Sequence, residues 1–179
     1  MLKPVVIRPH LVPFLVQELQ GSAASYMNIT AFSIPICGFS SLGKLLYNQA
    51  SSLQKDGKFV RFIFYLKVDK NKIDSYSGTI YISVNKEKEL LKLEPKQTEE
   101  INNLLEDIFR ISFGYYVKGC MEFGKTDLTK AILRFMENYN LENVGFSIEG
   151  LRRLHYRQVD KNQLLVRLQK QSSNRVPNF

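Results

Sequence analysis

The chain has 179 residues, 44% hydrophobic and 12% aromatic, with 25 Lys/Arg against 17 Asp/Glu for a formal net charge of +8. This is too apolar for a disordered chain and long enough for one full core. No apolar stretch approaches the roughly 20 residues that a bilayer-spanning helix requires, so no membrane partner is expected.

At the start of the chain, Val5-Val6-Ile7 meets Arg8 too soon to form the apolar core of a signal peptide. His10 to Gln20 places Leu11, Leu15, Val16 and Leu19 at helical spacing, with Pro13 in the first turn and Gly21 as the expected C-cap. Ala31 to Cys37 alternates, with Phe32, Ile34 and Ile36 on one side, and Pro35 lacks the N–H that an interior strand would use. That predicts an edge strand. Ser40 or Ser41 then caps a helix carrying Leu42, Leu45, Leu46 and Leu53. Two further strands follow: one presents Val60, Phe62, Phe64, Leu66 and Val68, the other Ile80, Ile82 and Val84. The polar loop Asp69 to Ser77 between them predicts an antiparallel hairpin.

Past Pro95, Thr98 is the expected N-cap of a helix running from Glu99 to about Met121, with Glu99 and Glu100 in its first turn. This helix is apolar over much of its circumference, one stripe holding Ile101, Leu104, Leu105, Ile108 and Ile111 and another Phe109, Phe113, Tyr116 and Cys120. Such a pattern predicts the central helix of a domain. Three shorter helical segments follow: Asp127 to Asn138, a second capped by Ser147, and a third from Asp160 to about Gln171 with Leu164, Leu165 and Leu168 on its apolar side. Together the elements predict an α+β fold, a small antiparallel sheet packed on a long central helix, with a helical, helix-turn-helix-like C-terminal module. The expected organisation is a core domain over 1–124, a basic helical module over 125–171 and a flexible tail over 172–179.

Charge is concentrated at one end. Leu151 to Phe179 carries seven Lys/Arg against Asp160 alone, a net +6, whereas the first 150 residues hold 18 basic against 16 acidic. A basic cluster on a helical segment is the electrostatic footprint of polyanion binding. If Ile148, Leu151 and Leu154 face inward, Arg153 and Arg157 share one outward stripe and Arg152 and Tyr156 the next. Guanidinium forks suit phosphate oxygens and guanine edges, and a tyrosine donates to phosphate or stacks. Lys161, Arg167 and Lys170 on the following helix would flank the backbone. The connection from Tyr139 to Phe146 is longer than that of a standard helix-turn-helix.

Other motifs carry less. Gly119 to Thr126 satisfies the phosphate-loop pattern of Gly, four residues and Gly-Lys-Thr, but Met121, Glu122 and Phe123 put bulk and charge where phosphate would sit. The alternating face Phe59, Arg61, Ile63, Tyr65 and Lys67 resembles a single-strand stacking platform, though a covering helix explains it better. Cys37 and Cys120 are far apart, and His10 and His155 lie in different segments, so reduced thiols in a cytoplasmic protein are expected, with no metal and no cofactor. The sequence thus predicts a non-enzymatic nucleic-acid-binding protein, DNA before RNA, acting through Arg152, Arg153, Tyr156 and Arg157. A homodimer would double the footprint, and a bacterial, phage or mobile-element regulator is compatible with the size and charge. The alternative is an interaction protein docking on an acidic partner or in a larger assembly.

Overall fold

A computed structural model describes the chain over residues 2–26, 29–37, 40–49, 59–68, 81–83, 95–159 and 164–169, with side chains described over 7–21, 40–45, 95–157 and 164–169. The order of elements is β1 (Leu2–Val6), α1 (Leu11–Glu18), β2 (Ser22–Tyr26), β3 (Ile29–Cys37), α2 (Ser41–Gln49), β4 (Phe59–Val68) and β5 (Tyr81–Ser83), followed by α3 (Pro95–Glu122), α4 (Leu128–Asn138) and α5 (Ile148–Val159). Short 3-10 turns cover Leu141–Val144 and Leu164–Gln169. The chain divides into two units, Met1–Asn102 and Asn103–Phe179.

In the first unit the strand backbones run in the order β1-β4-β3-β2, with β5 also on β4. The hairpin expected from β4 into β5 is not formed: the two are parallel, Leu66 opposite Tyr81 and Val68 opposite Ser83. Twelve residues, 69–80, separate them, about what a parallel crossover needs and far more than a hairpin turn. Pro35 sits on β3, which lies between β4 and β2 rather than at the edge. β2 pairs only Ile29 to Ser33, so at Pro35 the strand is paired with β4 alone, opposite Arg61. The missing N–H therefore has a local edge to face.

The helices of this unit begin as their sequences dictate. Ser40 Oγ accepts from Gly43 N–H at 3.0 Å and caps α2. α1 buries Leu11, Val12, Phe14 and Leu15. Its end is held by Gln20 in the left-handed region (φ 52°), with Gly21 N–H donating to Val16 O at 2.7 Å, so the expected glycine cap falls one residue late. α3 starts at Pro95, ahead of Thr98, because proline suits a first helical turn whose N–H groups have no intrahelical partner. Thr98 O instead accepts from Asn102 Nδ2 at 2.8 Å, and Asn102 Oδ1 accepts from Arg8 N–H at 2.8 Å.

The second unit is built from helices. Leu105, Phe109, Phe113 and Val117 lie along one stripe of α3 and are wholly buried. Phe135 of α4 stands edge-on to Phe109 and Phe113, with centroids at 5.8 and 5.1 Å, and also touches Tyr116 and Tyr139. Phe109 meets Phe146, just before α5, at 5.9 Å. Ala131, Ile132, Met136, Leu141, Leu151 and Leu154 complete the core.

This packing corrects the α+β expectation. Where side chains are described the chain is mainly helical, with no strand among those residues, so a small antiparallel sheet packed on the central helix is not supported. The apolar circumference of α3 has a different consumer: its phenylalanine stripe packs on α4 and the segment entering α5. The boundary expected after Gly124 falls inside this second unit.

Candidate nucleic-acid interface

The first helix of the module expected to bind polyanions is capped by Asp127, whose Oδ1 accepts from Lys130 N–H at 3.0 Å at the start of α4. That bond, made to the charged carboxylate, holds the Asp127 pKa below its ordinary value. Asn140 at φ 50° ends the helix in the left-handed conformation that asparagine tolerates, and Gly145 at φ 85° ends the 3-10 turn. The long connection is thus used rather than idle, because Leu141 and Val144 in that turn are buried. Ser147 Oγ accepts from Gly150 N–H at 3.1 Å and Ser147 O accepts from Leu151 N–H at 3.1 Å, which starts α5 where the sequence places it.

α5 buries Leu151, Leu154 and His155, while Glu149, Arg153, Tyr156 and Arg157 are exposed. Of the expected site residues, this brings Arg153, Tyr156 and Arg157 together on one face. Arg153 is 70% exposed and its Nε lies 3.4 Å from Glu149 Oε1. Tyr156 is 59% exposed. Arg157 makes no ion pair among the described residues.

Arg152 has a different situation. Its Nη2 donates to Thr129 Oγ1 of α4 at 2.8 Å and its Nη1 lies 3.4 Å from Glu149 Oε2, so it clamps α5 to α4. Arg167 is also engaged, with Nε 2.7 Å from the buried carboxylate of Asp107 on α3. Of the third helix expected around it, the described residues Leu164–Gln169 form a 3-10 turn, with Leu165 and Leu168 about half exposed and nothing buried. Lys161, Lys170 and the tail 172–179 lie outside the described residues.

The structure adds a residue that helical spacing around α5 could not supply. Arg110 of α3 lines a cleft of about 400 Å³ together with Arg153, Arg157, Glu149, Phe146 and Leu154. Glu106, only 1% exposed, accepts from Arg110 Nε and fixes the stem of that side chain. The available sequence signal was an i,i+4 Glu/Arg pair beside the apolar stripe of α3.

His155 is buried with no hydrogen-bond partner for Nδ1 among the described residues, and loss of solvent pushes its pKa below the ordinary imidazole value. It sits beside Tyr156, ring centroids 5.9 Å apart. Burial likewise raises the Tyr116 phenol, and Cys120 adds to the shift.

The phosphate-loop match is the end of α3. Gly119 to Glu122 are helical, Phe123 N–H donates to Gly119 O at 3.0 Å and Thr126 N–H to Cys120 O at 3.2 Å. Those amides close the helix instead of wrapping a phosphate. A Cβ at Gly124 would stand 2.7 Å from Cys120 O, so the glycine permits the turn. The face Phe59, Arg61, Ile63, Tyr65 and Lys67 lies on β4, whose side chains are outside the described set. Among the described residues no group of three or more His, Cys, Asp or Glu is placed to hold a metal ion, and no helix is long and apolar enough to cross a membrane. No known protein family, curated protein or solved structure matches the chain.

Proposed function

We propose that this protein binds nucleic acid without catalysing a reaction, through the exposed face of α5, and that it does so in the cytoplasm. The observation that carries the reading is the grouping of Arg153, Tyr156 and Arg157 on the wet side of a capped helix whose other side is core. A helix held in this way presents its cations at fixed backbone spacing, so the backbone ordering entropy is lost on folding and not again on binding. Arginine forks and a tyrosine serve both backbone phosphates and base edges, which makes duplex DNA the first substrate class to try, ahead of RNA. The paired approach of α4 and α5 supports the comparison with helix-turn-helix modules, while the 3-10 turn between them departs from the standard connection.

The test is fluorescence anisotropy with random duplex DNA, single-stranded DNA, RNA and poly-glutamate over a range of salt. The reading expects nucleic acid to bind with log K falling linearly in log salt. Tighter binding of poly-glutamate would transfer α5 to an acidic protein partner, and no binding of any nucleic acid at low salt would end the proposal.

A further inference from the structure

The cleft beside α5 is more specific than a basic face. Three arginines line it, Arg153 and Arg157 from α5 and Arg110 from α3, more than forty residues away in sequence. Among the described residues the single lining carboxylate, Glu149, lies between Arg152 and Arg153 and is compensated by both. Counting Glu106 behind Arg110 as well, the described residues here hold three lining arginines against two carboxylates. Phe146 and Leu154, both mostly buried, supply an apolar portion of the wall. A volume of about 400 Å³ belongs at the lower end of small-ligand pockets, room for one nucleotide and not for a duplex.

We infer that this cleft seats a single phosphate group with its attached nucleoside, and that Arg110 is a phosphate-binding residue. The inference deepens the nucleic-acid reading and rests on it for the class of ligand. Three arginines lining one cleft match a phosphate monoester, which carries about −1.5 to −2 charges at neutral pH and three acceptor oxygens. Glu106 is the positioning partner, since it anchors Arg110 Nε from the buried side. The phosphate has two possible sources, a free nucleotide, whose monoester carries close to two charges, or a nucleic-acid chain, whose internal diesters carry one, and arginine forks accept the oxygens of either.

The experiment is isothermal titration of the full chain with adenosine 5′-monophosphate and with adenosine, repeated on Arg110→Gln and Arg153→Gln, with circular dichroism as the folding control. The expected result is that the monophosphate binds at least about tenfold tighter than adenosine, and that each variant loses about tenfold or more, the loss of one charge-assisted contact. Arg153 is exposed, so its variant tests the seat even if Arg110→Gln fails to fold. Equal affinity for the two ligands, or a folded variant with undiminished monophosphate affinity, would overturn the inference. Competition with labelled duplex then separates the sources: displacement by the monophosphate means the seat takes a chain phosphate, and simultaneous binding means it takes a free nucleotide. DNA binding without monophosphate binding sinks the cleft and leaves the interface standing. The reverse pattern sinks the interface and leaves the cleft.

Discussion

Two arginines five residues apart on α5 should fail in different ways when replaced by alanine. Arg157 is exposed and makes no ion pair among the described residues, so Arg157→Ala should stay within about 0.5 kcal/mol of the parent in stability. If its guanidinium neutralises a phosphate, its loss flattens the slope of log K against log salt by about 0.9, whatever the total number of contacts. Raising salt from about 50 to about 200 mM is a fourfold change, so the accompanying fall in affinity should shrink by a factor of about 3.5. Arg152 donates to Thr129 at 2.8 Å across the α4–α5 interface and lies 3.4 Å from Glu149. The first contact contributes about 1–2 kcal/mol and the second, partly exposed, below about 1. Arg152→Ala should therefore lower the urea midpoint while leaving the salt slope of the remaining folded protein nearly intact. Anisotropy titrations at four salt concentrations and urea melts of both variants measure the two quantities. A folded Arg157→Ala protein with an unchanged slope, or an Arg152→Ala protein with full stability and a flattened slope, would refute the division of roles drawn from the structure.

Phe135→Ala removes the ring that four aromatic neighbours share at the centre of the second unit, and should cost about 3–5 kcal/mol in equilibrium unfolding. Gly119 lies within α3 with open space around the position of a Cβ, so Gly119→Ala should stabilise by up to about 1 kcal/mol, read as a higher melting temperature. A lower one would show strain there that the backbone does not reveal. His155 is held below its ordinary value of 6.5 in the folded state, so its neutral form contributes full stability above that pH, and the contribution is lost as pH falls below it towards the folded value. His155→Phe should flatten this part of the acid side, checked by urea melts near about pH 7.5 and about pH 5.5, and an unchanged pH dependence would exclude His155 as its source.

Local structure was largely legible in the residues. Asp127 and Ser147 cap the helices that follow them because a short oxygen-bearing side chain reaches the N–H three residues on, a relation contained within one turn. The apolar positions of α5 are also read from spacing alone, and Leu151 and Leu154 are buried as their periodicity requires. What spacing does not carry is the identity of the partner. The wide apolar circumference of α3 fits a sheet or a pair of helices equally well, and only packing assigned its phenylalanine stripe to α4 and Phe146. Strand direction was beyond reach for a related reason, since period-two alternation is identical in parallel and antiparallel ladders.

The candidate site divides along the same line. That α5 is amphipathic, capped and basic follows from its own residues, and so does the exposure of Arg153 and Arg157. The chain by itself determined those features because each depends on neighbours within four positions. Tertiary structure alone decided which charges are already spent: Arg152 on Thr129, 23 residues away, and Arg167 on Asp107. It also brought Arg110 to the cleft from another helix. Charge counted along a sequence ignores these long-range pairings, and in a folded protein a cation's availability depends on what stands opposite it in space.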